Sequence, residues 1–179
     1  MTIHSELILE LSKTENLIKI AYQKPIGFQI RPVDWYLAHE KSNTWFQMAP
    51  DFVIERSDRP KTTIQAVEIE SDIKYDFDDS LKQIRKYLKY YNMVSVIIPK
   101  RYEKFAPLYL KSNVRVWTWE ADRVWGCVDC GTTRIDSRSR TEIHDECSNQ
   151  RCKSRVYELK GITNFKLNEY ISQNPIEIL

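Results

Sequence analysis

The sequence predicts an α/β protein in which a mixed sheet flanked by helices is followed by a small cysteine-bearing module. Its candidate elements run in the order helix, several strands, helix, strand, helix, strand, which is typical of α/β folds. The apolar run Val94–Ile98 ends at Pro99 and fits a buried parallel strand. After Trp125 the composition becomes polar and charged, and all four cysteines lie in this part of the chain.

The size and composition of the chain limit its class. Its 179 residues are enough for one core of ordinary size and a small appendage, and a hydrophobic content of 42% is that of a globular protein. A net charge of +2 provides no overall basic field, so any nucleic acid must be held by local patches. No apolar run has the length of a membrane span and no signal-peptide pattern is present, so we expect no membrane partner and a cytoplasmic, intracellular location.

The N-terminal part of the chain is predicted to be a helix followed by strands. Residues 5–22 should form one amphipathic helix, because Leu7, Leu11 and Ile18 fall on a single stripe. A segment with Pro and Gly ends this helix, and residues 28–48 then supply a run of short strands. Such a run fits an antiparallel meander that leads into a mixed sheet.

Two neighbouring strands are predicted next, at Asp51–Glu55 and Thr62–Glu70, because both segments are rich in β-prone residues. Residues 57–61 have turn chemistry and join the two strands. Side chains two apart on a strand share a face, so Glu68 and Glu70 point to one side while their neighbours point into a core.

Asp51, Glu68 and Glu70 should therefore form an acidic cluster. Three carboxylates repel one another unless a cation compensates, and Mg²⁺ is a hard cation that binds carboxylate oxygens. The alternative is a strand edge that simply exposes its acidic residues to solvent.

A second helix is predicted from Asp79 to about Tyr91. Gln83 and Tyr87 are four residues apart on it and share a face. Basic residues of the same helix could bind a phosphate backbone or could merely solvate the helix. These residues are Lys82, Arg85 and Lys86.

The order of these motifs resembles the PD-(D/E)XK nuclease superfamily. Pro50-Asp51 lies on one strand, Glu68-Ile69-Glu70 lies on the next, and a helix follows. The run Gln83–Tyr87 is similar to the QxxxY motif of the RecB-like and Cas4-like branch, and the resemblance covers roughly residues 5–120. It implies a restriction-endonuclease-like mixed sheet with the acidic cluster at one edge.

The resemblance also implies a function, which is divalent-metal-dependent hydrolysis of phosphodiester bonds, with DNA as the favoured nucleic-acid partner. A homodimer is expected only by analogy, because many nucleases of this superfamily are dimers. Asp51 and Glu68 would hold Mg²⁺ or Mn²⁺ with help from Glu70, Gln83 would orient the water or the phosphate, and Tyr87 would pack behind it. A carboxylate of the first helix often completes such a site, and Glu15 is preferred to Glu10 for this role.

One residue departs from the family pattern, because Glu70 stands where a lysine usually helps to polarise the attacking water. Some restriction enzymes of this superfamily carry ExE and still cleave, and the extra carboxylate favours stronger metal dependence. Lys74 could supply the positive charge, or it could be an exposed loop lysine.

The cysteines form two pairs with the spacing Cys-x2-Cys, a gap of sixteen residues, and Cys-x4-Cys. This spacing predicts a tetrahedral four-cysteine site for structural Zn²⁺ and resembles a zinc ribbon. The ligands would be Cys127, Cys130, Cys147 and Cys152. Free or redox cysteines and an iron–sulfur cluster are the alternatives, and the position of all four cysteines after the nuclease-like region favours zinc.

The chain is thus expected to comprise a nuclease-like domain at residues 1–124, a zinc-ribbon module at 125–160, and a tail at 161–179 that packs on the core. Within this tail, the stretch from Asn164 to Leu179 is expected to form a short helix. Arginines in the module could contact phosphates, which would make it a nucleic-acid clamp, or the module could serve dimerisation or scaffolding. These arginines are Arg134, Arg138 and Arg140.

Two functions compete with the nuclease. The first is a catalytically inactive nuclease-fold protein that binds nucleic acid or a protein partner through its zinc ribbon, which the missing lysine favours. The second is an unrelated α/β zinc protein that has no role with nucleic acids.

Overall fold

The computed structural model of the chain describes residues 2–21, 28–32, 50–58, 61–73, 77–110, 114–138 and 142–171. These residues form a seven-stranded mixed sheet with helices packed against it, so the predicted α/β class with a mixed sheet is confirmed. Within the same ranges, none of the helices is long and apolar enough to cross a lipid bilayer.

The N-terminal segment forms two helices, α1 at Ile3–Leu11 and α2 at Thr14–Ile20, so the prediction of one helix over residues 5–22 is wrong. The break occurs at Lys13, whose extended backbone (φ −65°, ψ 138°) cannot continue a helix. The side chain of Asn16 donates to the carbonyl of Glu10 at 2.9 Å and thereby satisfies a carbonyl at the end of α1.

Seven strands build the sheet, and they change from antiparallel to parallel pairing and back. They are β1 Phe28–Pro32, β2 Phe52–Asp58, β3 Lys61–Ile69, β4 Met93–Pro99, β5 Val114–Cys127, β6 Thr133–Asp136 and β7 Tyr157–Glu169. β1, β2 and β3 pair antiparallel, β3, β4 and β5 pair parallel, and both β6 and β7 pair antiparallel with β5. The strands predicted within residues 33–48 lie outside the described residues.

A crossover helix, α3 at Phe77–Tyr87, joins β3 to the parallel strand β4, and Lys100–Phe105 continues as a short 3-10 turn into α4 at Ala106–Tyr109. α3 ends four residues before the predicted Tyr91. The reason is Asn92, which exchanges hydrogen bonds with the backbone of Ile64 on β3 at 2.9 and 3.0 Å and so turns the chain into β4.

Two apolar cores lie on opposite faces of the sheet. α1 and α2 cover one face, where Leu7 and Leu11 pack with Val67, and α3 and α4 cover the other, where Ile84 packs with Val96. Complete burial of one such side chain contributes about 1.5–3 kcal/mol. β3 divides its side chains between the two faces, as the alternation of its sequence predicts.

β7 runs to Glu169, so the prediction of a short helix beginning at Asn164 is wrong for the described part of that segment. β7 pairs along most of β5, from Trp117 opposite Glu169 to Cys127 opposite Tyr157. A long neighbouring strand supplies backbone hydrogen bonds over this whole length, and that tertiary pairing overrides local preference. The predicted domain boundary between residues 124 and 125 falls inside β5, so the cysteine module extends the same sheet.

Candidate functional site

The three predicted acidic residues meet at the edge where the parallel strands end. The register of β2 on β3 pairs Phe52 with Val67, which brings Asp51 next to Glu68. The amide of Glu70 donates to the carbonyl of Ile97 at 2.8 Å, so the chain still follows β4 at this point. The charges of Asp51 and Glu70 both raise the pKa of Glu68, so each of these two carboxylates acts electrostatically on Glu68.

The side chain of Asp51 is 15% exposed, and both of its carboxylate oxygens have partners. Its Oδ2 accepts a hydrogen bond from the backbone amide of Ile69 at 2.7 Å, and its Oδ1 lies 3.1 Å from Nε2 of His4. The hydrogen bond to Asp51 raises the pKa of His4, and burial offsets part of this increase. The sequence analysis missed His4, since the predicted first helix began one residue after it.

Glu68 is held by α3. Nε2 of Gln83 donates to its Oε1 at 2.9 Å, and the hydroxyl of Tyr87 donates to its Oε2 at 3.1 Å. Nε2 of Gln83 also donates to the hydroxyl oxygen of Tyr87 at 2.6 Å. The two residues of the QxxxY-like motif therefore share a helix face and both contact the same carboxylate.

The environment of Glu68 disfavours its negative charge. Burial raises the pKa of Glu68 well above its usual value, the charges of Asp51 and Glu70 raise it further, and the hydrogen bond from Tyr87 lowers it. Burial and the neighbouring Glu68 also raise the pKa of Tyr87, so its hydroxyl keeps its proton. A carboxyl group in this setting binds either a proton or a cation.

Glu70 is held by both its side chain and its backbone. The hydroxyl of Ser80 on α3 donates to Oε1 of Glu70, and Nε1 of Trp119 donates to the carbonyl oxygen of Glu70 at 2.9 Å. The oxygen of Ser80 also lies 2.9 Å from the hydroxyl oxygen of Tyr109, and both of these residues are buried. Neither Ser80 nor Tyr109 was predicted as a site residue.

The carboxylates expected from the first helix line a depression of about 330 Å³, beside Lys19. Glu15 is exposed on α2, and Glu10 pairs with Lys13 at 2.5 Å. The role of Glu15 in the acidic cluster stays a prediction. A helix residue that does contact Asp51 is His4, on α1.

The basic residues predicted on α3 are all exposed. Lys82, Arg85 and Lys86 face solvent, and Lys82 pairs with Asp79 at 3.0 Å. They alternate along the helix with Gln83 and Tyr87, which face the acidic cluster. Exposed charges of this kind can contact a phosphate backbone that lies across the helix.

The arginines of the cysteine module differ from one another. Arg134 forms an ion pair with Asp145 at 3.0 Å, whereas Arg138 is exposed. Arg140 and Lys74 lie outside the described residues.

The four cysteines converge at the end of β5. All four sulfur atoms lie within 4.8 Å of one another, and the pairs Cys127–Cys152 and Cys130–Cys147 are 3.7 and 3.6 Å apart. Metal–sulfur bonds of about 2.3 Å in a tetrahedron require sulfur atoms about 3.8 Å apart, whereas a disulfide requires about 2 Å. The cluster could therefore hold one metal ion.

Two tight turns present the sulfur atoms. In the first, the amide of Gly131 donates to the carbonyl of Cys127 at 2.9 Å, and Gly131 has a φ of +73°, a conformation that favours glycine. In the second, the amide of Cys152 donates to the carbonyl of Asn149 at 2.8 Å, and the amide of Cys147 donates to the carbonyl of Ser154 at 2.9 Å.

The thiols differ in acidity. Hydrogen bonds with Thr132 lower the pKa of Cys130 to about 6. A backbone hydrogen bond from Ser154 lowers the pKa of Cys152, but burial and the neighbouring thiols outweigh it and raise the value to about 12. Full ionisation of the cluster thus needs a cation to offset the accumulated charge.

The acidic cluster and the cysteine cluster differ in how close their possible ligand atoms lie to one another. Across the described parts of the chain, the four cysteines are the only group of three or more His, Cys, Asp or Glu side chains close enough to share an ion. In the acidic cluster, protein donors already occupy the carboxylates. These donors are the amide of Ile69 and the side chains of Gln83, Ser80 and Tyr87.

A groove of about 690 Å³ lies beside β5, with Trp119 and Lys100 among its lining residues. The pairing of β5 with β7 is irregular near Ala121, and Asn164 on β7 has a left-handed φ of +52°. The groove carries charges of both signs, because Lys166 lies 3.9 Å from Glu120. It is therefore not a strongly basic surface.

No protein-family model matches the chain, and a comparison with curated proteins gives no match. The described residues combine a mixed α/β sheet, a partly buried acidic cluster at the ends of its parallel strands, and a four-cysteine cluster at the far end of β5.

Proposed function

We propose that the chain is a divalent-metal-dependent nuclease of the PD-(D/E)XK superfamily, with a restriction-endonuclease-like fold and DNA as the favoured substrate. One observation carries the proposal, which is that the register of β2 on β3 sets Asp51 beside Glu68, with Glu70 two residues further on at the end of β3. Gln83 and Tyr87, which stand at the positions of the QxxxY motif, contact the central carboxylate of this cluster.

The chemistry of the cluster suits Mg²⁺ or Mn²⁺, which Asp51 and Glu68 would hold with help from Glu70. Burial and two neighbouring negative charges raise the pKa of Glu68, and a nearby cation would remove that penalty. A bound divalent cation would supply Lewis acidity and offset the charge of the phosphate.

The protein groups around the cluster would orient the reactants. Both N–H groups of the Gln83 amide point to Glu68 and Tyr87, which leaves its carbonyl oxygen as the acceptor that would orient an attacking water. His4 would hold Asp51 in position. The exposed Lys82, Arg85 and Lys86 would contact the phosphate backbone near the site.

We propose that the cysteine cluster holds structural Zn²⁺ in a ribbon that extends the central sheet. Its four thiol ligands, their separations and their two turns all suit tetrahedral zinc. Reduced cysteines of this kind are consistent with a cytoplasmic location, which belongs to the same proposal. A homodimer is proposed from the analogy with the superfamily alone.

The second candidate is a catalytically inactive nuclease-fold protein that binds nucleic acid or a protein partner through the ribbon. A specific observation favours it, which is that the carboxylates of Glu68 and Glu70 are already bonded to donors from α3. Glu70 also occupies the position at which the family usually has a lysine. Binding without hydrolysis would need no cation at the acidic cluster.

The test is a cleavage screen over single-stranded, duplex and branched DNA and over RNA, with Mg²⁺, Mn²⁺ or a chelator. The native chain is compared with the double variant Asp51→Ala/Glu68→Ala and with Glu10→Ala, a control carboxylate on α1 that pairs with Lys13. The nuclease proposal expects metal-dependent cleavage that the double variant loses and the control keeps.

Activity of the double variant at the native level would refute the assignment of the site. Nucleic-acid binding that is indifferent to Mg²⁺, without cleavage of any substrate, would establish the second candidate instead.

A further inference from the structure

We propose that the outer face of the cysteine ribbon is the surface through which two copies of this chain form a homodimer. The inference rests on the homodimer of the proposed function and deepens it by assigning a surface to that homodimer. It does not depend on the chemistry of the acidic cluster. The outer face consists of four apolar side chains and one ion pair, which are Val124, Val128, Ile135, Val156, Glu158 and Lys160.

The pairing of three strands sets the four apolar side chains on one side of the sheet. Val124 on β5 lies opposite Ile135 on β6, and residues directly opposite in an antiparallel pair point to the same side. The amide of Val128 donates to the carbonyl of Val156 at 3.1 Å, which continues the pairing of β5 with β7 by one residue. Alternation along β5 puts Val124 and Val128 on the side that Cys127 does not face.

The apolar side chains of the outer face are open to solvent. Val128, Ile135 and Val156 are 54%, 63% and 61% exposed. Exposed apolar side chains normally occur singly, and a group of them on one face marks a contact surface. The other side of the same strands is closed, because Trp125 and Cys127 are buried.

The middle of the outer face is flat. Gly126 has no side chain, and the aliphatic part of Lys160 lies above it, since a Cβ added to Gly126 would meet Cε of Lys160 at 2.7 Å. Glu158 lies opposite Gly126 on β7 and forms an ion pair with Lys160. A flat centre surrounded by β-branched side chains suits the packing of one sheet on another.

The charge of the outer face selects a second copy of the chain as its partner. One acid and one base give this face no net charge, whereas a nucleic acid or an anionic membrane surface would require an excess of Lys and Arg. A two-fold axis brings the same patch of two protomers together. Lys160 of one protomer can then face the partner's Glu158 while the apolar side chains cover one another.

The outer face is small, so the dimer should be weak. Interfaces well below about 800 Å² per partner belong to transient complexes, and we expect a Kd on the order of 10 µM. The test is sedimentation equilibrium of the full chain, loaded with Zn²⁺, at concentrations on both sides of that value. Ile135→Lys places a charge within the apolar group and should weaken self-association about tenfold or more.

The matched control is Leu9→Lys on α1, where the native side chain is 64% exposed, almost the same as Ile135. This control should associate as the native chain does. Thermal unfolding and zinc analysis show whether each variant is folded and holds its metal. If Ile135→Lys fails to fold, Val156→Lys carries the test, since Val156 is exposed and precedes β7.

Two further variants test the charge pairing. Glu158→Lys and Lys160→Glu each give the outer face two like charges, so each of them alone should associate more weakly than the native chain. An equal mixture of the two should form a heterodimer, because a basic face then meets an acidic one. A mixture that stays monomeric under conditions in which the native chain dimerises would overturn the proposed surface.

The remaining outcomes separate this surface from the proposed homodimer. Native self-association of a folded Ile135→Lys or Val156→Lys variant would overturn the outer face as the interface and leave the homodimer to another surface. A native chain that stays monomeric at every concentration would overturn both. The cleavage screen of the acidic cluster uses other variants, so its result is independent of these.

Discussion

Tyr87 donates its hydroxyl hydrogen to Glu68 at 3.1 Å, across the space between α3 and β3. The same hydroxyl accepts a hydrogen bond from Gln83, so one side chain joins the helix to the central carboxylate. The stability of the crossover helix α3 therefore depends in part on a hydrogen bond to the acidic cluster.

Tyr87→Phe removes that hydroxyl and leaves Gln83 and Glu68 to re-pair in a buried site. We expect a loss of about 1–3 kcal/mol in the free energy of unfolding, because buried polar groups that lose a partner are costly. Urea denaturation measures the change. The control is Tyr90→Phe, whose ring is 44% exposed, and a similar loss in this control would contradict the explanation.

Glu68→Gln should stabilise the protein at neutral pH and abolish metal-dependent cleavage. The folded state raises the pKa of Glu68 above the usual 4.5, so the folded protein retains a proton that the unfolded chain has released. The stability of the native chain therefore falls as the pH rises from about 4.5 through the raised pKa, and the variant lacks this decrease. Thermal unfolding of both proteins between about pH 4 and pH 9 tests the difference in slope.

The pair of His4 and Asp51 should contribute stability at acidic pH only. The pKa of His4 is raised above its usual 6.5, so the contribution is complete below that value and disappears as the pH rises through the raised pKa. His4→Gln should cost less than about 1 kcal/mol at pH 6, since His4 is 39% exposed and solvent screens the pair.

The matched control for this experiment is His144→Gln, because His144 also pairs with a carboxylate, at 3.3 Å, but is 81% exposed. Chemical denaturation at pH 6 and pH 9 compares the two variants. An equal effect of His4→Gln at both pH values would contradict the role of the charged imidazole.

Loss of the metal from the cysteine cluster should lower the stability of the folded chain. Cys147→Ser removes one ligand, and we expect it to lower the free energy of unfolding by several kcal/mol, because structural metal sites contribute folding free energy directly. Metal analysis should give one zinc per native chain and a reduced content in the variant. Ser148→Ala, at the exposed neighbouring position, should keep both the metal and the stability.

Gly131→Ala should weaken the first cysteine turn through its backbone. The added methyl group would meet nothing within 4 Å, so the cost comes from the φ of +73° and amounts to about 1–2 kcal/mol. Gly131→Asn should cost less, because asparagine tolerates this conformation better. Equal stability of the alanine variant and the native chain would show that the turn adopts another conformation.

Local patterns in the sequence predicted a large part of this structure. Alternation along β3 separates Glu68 and Glu70 from Val67 and Ile69, and the four-residue spacing of Gln83 and Tyr87 brings them to one helix face. The cysteine spacing likewise predicted a cluster of four sulfur atoms. Each of these relations extends over a few residues of one element, so it depends little on the rest of the fold.

The features that the sequence did not predict depend on tertiary contacts. His4 reaches Asp51 because α1 docks on one face of the sheet, and Ser80 reaches Glu70 because α3 crosses on the other. The strand at β7 forms because β5 provides a partner along its length. No periodicity within these segments carries that information.

β5 contacts both the acidic cluster and the cysteine cluster. Trp119, near the middle of this strand, donates to the backbone carbonyl of Glu70, and Cys127, its last residue, belongs to the sulfur cluster. Two register shifts in the pairing with β7 lie between these contacts. Because both clusters draw on this one strand, unfolding of β5 would remove a contact of each.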